Sequence, residues 1–134
     1  MLRRIHHLNF VVRNLEDSVK RYSDSLDIGE WLYDEHPARP VLTARARIGE
    51  SWLVLVQPLD QESPPARHLK ENGEGFFLVS FEVDDITAAI ERAEKSGASL
   101  IDREARQGIL NWQVADLQLE TEKGARLQLV EEKK

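Results

Sequence analysis

The sequence predicts an α+β fold in which two similar units share one mixed sheet, and three observations predict it. First, Ile5 to Leu15 is echoed 71 residues later by Phe76 to Ile86, which lays Phe10 on Phe81, Val12 on Val83 and Leu15 on Ile86. The same register carries on to Val19 over Ile90 and Arg21 over Arg92. Second, a strand near residue 53 recurs 74 residues on, with Leu53 on Leu127, Leu55 on Leu129 and therefore Val54 on Gln128. Third, period-two alternation in short runs gives way to helical spacing at matching places in both copies. Neither copy is large enough to bury both of its faces alone, so the two must combine over a common sheet.

Residues 4–12 read as a strand, with Ile5, His7, Asn9 and Val11 on one face and His6, Leu8, Phe10 and Val12 on the other. Asn14 suits an N-cap with Asp17 three places on. Leu15, Val19, Tyr22 and Leu26 then repeat at helical spacing, predicting an amphipathic helix over 15–27. Its stripe should pack on Leu8, Phe10 and Val12, leaving His7 and Asn9 on the opposite face. Strands are expected at 30–35, 41–48 and 51–57, with Pro37 and Pro40 breaking the chain between the first two and Gly49-Glu50 turning between the others. Trp52, Val54 and Val56 share a face of the last of these. A polar, turn-rich boundary follows at 58–74, with a short helix over 65–70 that carries proline in its first turn and ends near Asn72-Gly73.

The second unit opens with a strand at 76–83, in which Phe77 should point away from Leu78. Asp85 serves as N-cap for a helix striped by Ile86, Ala89, Ile90 and Ala93, with Gly97 at its left-handed stop. Strand 98–103 comes next, then a turn at Gln107-Gly108. Strands are expected at 111–115 and 118–121, a turn at Glu122-Lys123-Gly124, and a final strand over 126–130. The expected organisation is one domain over 1–134, with modules at about 4–57 and 75–131 joined by linker 58–74.

Composition narrows the partners. A 134-residue chain with 41% hydrophobic and 31% charged residues is globular. The formal charge of −6 and the lack of a basic stripe argue against nucleic acid. No apolar run approaches membrane-spanning length, so no membrane partner is expected. The absence of cysteine removes disulfides, thiolate ligands and thiol nucleophiles, and agrees with a cytoplasmic setting.

Taken in order, His7-Leu8-Asn9-Phe10-Val11-Val12-Arg13-Asn14-Leu15-Glu16, Pro58-Leu59 before Glu62-Ser63-Pro64, Gly73-Glu74-Gly75, Phe81-Glu82-Val83-Asp84-Asp85-Ile86, and Lys123-Gly124 before Leu127-Gln128-Leu129 form a pattern. In it the chain resembles the vicinal oxygen chelate superfamily, which includes glyoxalase I, extradiol dioxygenases, fosfomycin-resistance enzymes and bleomycin-resistance proteins. Its pattern is nearest to the methylmalonyl-CoA epimerases. The resemblance covers nearly the whole chain and implies two βαβββ modules forming a cup-shaped sheet. It also implies a homodimer. Metal-dependent members hold one divalent ion with a ligand from the first and last strand of each module, and those positions here are His7, Val54, Leu78 and Gln128.

Two of the four cannot coordinate. Val54 and Leu78 have no lone pair, and Gln128 offers a neutral amide oxygen where the family has glutamate. One imidazole and one amide fall short of the three or four ligands that hold a transition metal. The expectation is therefore no cofactor: a degenerate cup that binds a small organic molecule, lined by His7, Asn9, Trp52, Val54, Leu78, Trp112 and Gln128. A divalent ion (Co, Ni, Mn or Zn) would enter only if other residues rescued the site. By alternation His6 should face the helix, His36 and His68 fall in loops, and no spacing gathers Asn9, Glu82 and Asp116. Trp31, Tyr33, Trp52 and Trp112 are candidates for stacking on a planar ligand, with packing between modules as the plainer use for at least two of them. Arg45, Arg47, Arg67 and Lys70 are candidates for meeting CoA-like phosphates, with a solvated face as the plainer reading of such scattered basic residues. The alternative is a lyase or isomerase of the methylmalonyl-CoA epimerase or lactoylglutathione lyase type, in which His7 is the one plausible base.

Overall fold

The computed structural model describes residues 1–118 and 126–134. Its elements run β1 (Leu2–Val11), α1 (Leu15–Leu26), β2 (Leu32–Glu35), β3 (Val41–Ile48), β4 (Ser51–Pro58), α2 (Pro64–Asn72), β5 (Gly75–Val83), α3 (Ile86–Lys95), β6 (Ser99–Leu100), β7 (Arg106–Gln107), β8 (Trp112–Gln118) and β9 (Arg126–Glu132). All strands join one mixed sheet in the order β2-β3-β4-β1-β5-β9-β8-β6, with β7 paired to β8.

Duplication is written into the register. Strand β1 runs parallel to β4 with His7 opposite Trp52, and β5 runs parallel to β9 with Leu78 opposite Arg126. Those pairs are related by the same two offsets that the sequence carries. Where β1 meets β5 antiparallel, His7 faces Ser80 and Asn9 faces Leu78, so a pseudo-twofold passes near the Leu8–Val79 pair. The outer faces match as well. Val12, Leu15 and Leu55 pack with Phe10, Val19 and Tyr22 under α1, while Val83, Ile86, Ile90 and Leu129 pack with Ala89 under α3. Each aliphatic side chain removed from water contributes roughly 1.5–3 kcal/mol, so these two clusters hold both helices to the sheet. Asn14 and Asp85 cap their helices by accepting from the backbone N–H of Asp17 at 2.9 Å and of Ala88 at 3.1 Å.

The β1–β5 register shifts at three places, and the two that flank the pseudo-twofold matter to the inner face. Between Ile5 and His7, β1 advances two residues while β5 advances one; between Leu78 and Phe76, β5 advances two while β1 advances one. The extra residues are His6 and Phe77, one the image of the other. A bulge of this kind turns consecutive side chains to one side. His6 therefore does not face α1, and Phe77 does not oppose Leu78. Both expectations from alternation are corrected by the same physical cause.

Other differences are smaller. Gln107 pairs with Gln113 in the two-residue strand β7 instead of forming a turn. The two strands expected at 111–115 and 118–121 are one strand over Trp112–Gln118, and the strand expected at 98–103 shrinks to Ser99–Leu100. The turn expected at Glu122-Lys123-Gly124 and the far end of 118–121 lie outside the described residues. Helix α2 is longer than its spacing suggested and ends on Gly73 at φ 81. Its Leu69 packs against Val11, Phe77 and Leu78, which closes one end of the sheet's inner face.

Candidate functional site

The inner face encloses a cleft of about 560 Å³, part of it open to solvent. Val41 and Thr43 of β3 line it together with Trp112 and Val114 of β8, although these strands lie near opposite ends of the sheet. The sheet must curl into a cup to bring them together. His7, Asn9, Val54, Leu78, Trp112 and Gln128, all expected from the sequence, line the cleft. Trp52 does not. Its half-buried indole lies beside the cleft, with the guanidiniums of Arg45 and Arg47 4.2 and 4.9 Å from the ring centre. Trp31 instead packs under α1, donating from Nε1 to Ser23 Oγ at 2.8 Å, and Tyr33 is exposed.

Two rows of paired residues cross the sheet at this level. One runs Trp52, His7, Ser80, Gln128, Asp116 over β4, β1, β5, β9 and β8. The other runs Val54, Asn9, Leu78, Arg126 over β4, β1, β5 and β9. The pseudo-twofold exchanges these rows, so the four positions singled out by the resemblance split evenly. His7 and Gln128 stand in the first row, Val54 and Leu78 in the second.

A buried chain of hydrogen bonds fixes the first row. Glu132 Oε1 lies 2.5 Å from His6 Nε2, and His6 Nδ1 lies 2.8 Å from His7 Nδ1. A carboxylate only accepts, so His6 carries its proton on Nε2 and accepts at Nδ1. His7 then donates from Nδ1 and presents Nε2 as a bare lone pair. Burial pushes the His7 ring well below the ordinary histidine range, the neighbouring His6 adding to the effect and the nearby Gln128 side chain opposing it, and burial lowers His6 too despite Glu132. Both rings are thus neutral near pH 7. Trp112 holds them in place, stacked on His7 at 4.8 Å and edge-on to His6 at 4.6 Å.

At the row's other end Asp116 is buried, accepting from Gln128 Nε2 at 2.8 Å and pairing with Arg106 and Arg126 at 3.1 and 3.0 Å. Anchored by its nitrogen, Gln128 is left with Oε1 free. Among the described residues, Gln128 Oε1, Asn9 Oδ1 and Ser80 Oγ are buried without a hydrogen-bond partner. Such groups cost roughly 1–3 kcal/mol each when left unmet.

The rim comes from a loop for which no role was expected. His36 and Arg39, between β2 and β3, line the cleft along with Arg106 and Ile109. His36 Nδ1 accepts the backbone N–H groups of Ala38 and Arg39 at 3.0 and 3.1 Å, which leaves Nε2–H as its donor. Burial, helped by Arg39 and Arg106, lowers His36 to about 4. No periodic or spacing signal marks this loop, because its position over the cup is set by the curl of the sheet.

A second cluster sits behind the cup. His6, Glu82 and Glu132 place ligand-type atoms within 4.8 Å of one another, a grouping that sequence spacing did not reveal. Arg4 already occupies it, reaching Glu82 at 2.8 Å and Glu132 at 3.4 Å. A guanidinium there supplies the positive charge that a metal ion would bring.

Comparison with known proteins agrees with this architecture. The family model described as Glyoxalase/Bleomycin resistance protein/Dioxygenase superfamily matches residues 6–115. The ethylmalonyl-CoA/methylmalonyl-CoA epimerase of Cereibacter sphaeroides is 28% identical over 102 residues, spanning 75% of this chain and 76% of that protein. A hypothetical protein from Bacillus halodurans C-125 superposes with a TM-score of 0.89 at 29% identity, over 98% of this chain and 95% of its own. A methylmalonyl-CoA epimerase solved with methylmalonyl-CoA and NH4+ reaches the same TM-score of 0.89 at 23% identity, again over 98% and 95%, which is a likeness of fold. No helix among the described residues is long and apolar enough to cross a membrane.

Proposed function

Because this chain belongs to the glyoxalase/bleomycin resistance protein/dioxygenase superfamily, we propose that its cup binds a small, partly apolar organic molecule without a metal ion. One observation carries the reading. Val54 and Leu78, 2% and 3% exposed, stand in the floor at the two positions where coordination would need a lone pair. The donors left are His7 Nε2 and the neutral oxygens of Gln128 and Asn9, a set without charge and without a tetrahedral or octahedral arrangement from the protein. The residues present therefore do not fit a divalent ion. They do suit an organic guest. Val41, Val54, Val56, Leu78 and Ile109 supply apolar walls, and His7 with the orphaned amide oxygens accepts hydrogen bonds from a hydroxyl or N–H group.

A thermal-shift screen of uncharged and charged organic compounds is the direct test. Saturable stabilisation by some of them, lost in His7→Ala, is expected. A library that leaves the melting temperature unmoved would sink the reading.

The epimerase-like relative favours a second reading, proton abstraction next to a thioester carbonyl, with His7 as base. Its weakness is chemical: a ring held well below the ordinary histidine range is a poor base for a carbon acid, and Val54 and Leu78 offer no lone pair to a metal that would hold an enolate. Deuterium exchange into methylmalonyl-CoA decides between them, and binding alone predicts none with or without added cobalt. The proposal extends to a cytoplasmic homodimer, supported by exposed Leu32, Tyr33, Leu42 and Ile48 on the β2–β3 edge. A monomer mass in sedimentation equilibrium would remove the pairing.

A further inference from the structure

The rim and floor of the cup differ in a way that specifies the guest. Near the rim, three guanidiniums (Arg39, Arg106 and Arg126) cluster around two carboxylates. Asp116 takes Arg106 and Arg126 at 3.1 and 3.0 Å, and Asp102 takes Arg106 at 3.2 Å. Arg39 has no ion pair or side-chain hydrogen bond among the described residues, yet it lines the cleft and is only partly exposed. Burial and the nearby Arg106 and Arg126 work against its charge, while Asp116 and Asp102 favour it. Beside it, His36 offers only the Nε2–H donor, since its Nδ1 is filled by two backbone amides. The cluster thus presents donors and three guanidiniums against two carboxylates, on a chain whose formal charge is −6. The floor presents the reverse: His7 Nε2, Asn9 Oδ1 and Gln128 Oε1 all accept.

We infer that the guest is a compact organic acid, its carboxylate held by Arg39 and the Nε2–H of His36 at the rim and its apolar body packed on Val41, Val54 and Ile109. A hydroxyl or amide N–H on that body meets the acceptors at the floor. A planar guanidinium matches a carboxylate with two parallel N–H donors, and a neutral histidine adds a third without adding charge. The inference rests on the proposed metal-free cup and names its ligand class.

The test separates the two. Hexanoate, phenylacetate and mandelate are titrated against the purified protein beside hexanamide, phenylacetamide and mandelamide, by thermal shift and calorimetry. Acids are expected to bind about tenfold or more tightly than their amides, the size expected for a charged hydrogen bond. Arg39→Gln is expected to erase that preference, and Arg39→Lys to restore part of it. Amides that bind as well as acids overturn the carboxylate assignment and leave the organic cup standing. An acid preference that survives in Arg39→Gln overturns the role of Arg39. If neither acids nor amides bind, the cup reading itself falls.

Discussion

The bulge of β1 and the bulge of β5 are the same backbone feature carrying opposite chemistry. In β1 it brings His6 and His7 together, two imidazoles locked to each other, to Glu132 and to Trp112. In β5 the equivalent bulge brings Phe77 and Leu78 together, both buried against Val11 and lining the cleft. The fold needs the extra residue for curvature and is indifferent to what that residue is. Chemistry is then decided one side chain at a time. A duplicated framework with one polar and one apolar bulge gives a cup whose first row carries His7 and Gln128 and whose second carries Val54 and Leu78 on either side of Asn9.

The sharpest way to break this contrast is to remove the anchor of the polar row. Asp116→Ala leaves Arg106 and Arg126 without their shared carboxylate and Gln128 without the acceptor that orients it. A loss of about 3 kcal/mol or more is expected, because one member of a buried ion pair is left alone. Urea unfolding measures it, and a loss below about 1 kcal/mol would show that the row is held otherwise.

How far the sequence disclosed this contrast can be stated residue by residue. The offsets that pair His7 with Leu78 and Val54 with Gln128 are visible in the apolar pattern, since Phe10, Val12, Leu15, Leu53 and Leu55 repeat in matching places. The register of the sheet follows from them. His6 and Phe77 could not be placed, because a bulge leaves no mark in a pattern read at period two. Arg39 and His36 were equally hidden: each lies in a loop, and its position over the cup depends on how the whole sheet curls. Asp116 and Gln128 are a third case, as their contact joins β8 to β9 side by side in the sheet and reads from sequence only as two polar residues in separate strands.

The next prediction in size concerns pH. His6, His7 and His36 are all held below the ordinary value of 6.5, chiefly by burial, and His36 to about 4. The unfolded chain takes up protons below about pH 6.5 that the fold refuses, so the stability of the neutral rings is whole above that pH and is lost as pH falls, for His36 between about 6.5 and about 4. Giving β1 the pair that β5 carries, with His6→Phe and His7→Leu, should flatten this decline. Melting curves from pH 7.5 to 5, on the order of the range histidines titrate in, compare the two proteins. Parallel slopes would mean that the two buried rings contribute nothing to it.

Where the modules are alike, equal effects are expected. Asn14→Ala and Asp85→Ala each remove one helix cap, and each should cost about 1 kcal/mol. Unequal losses would show that the resemblance between the two helices stops short of their energetics.

Metal binding tests the central claim most directly. Calorimetric titration of the purified protein with Co2+, Ni2+, Mn2+ and Zn2+ should give no saturable heat, because Val54 and Leu78 supply no lone pair and Arg4 fills the alternative cluster found among the described residues. A stoichiometric isotherm that disappears in both His7→Ala and Gln128→Ala would place an ion in the cup and contradict the account.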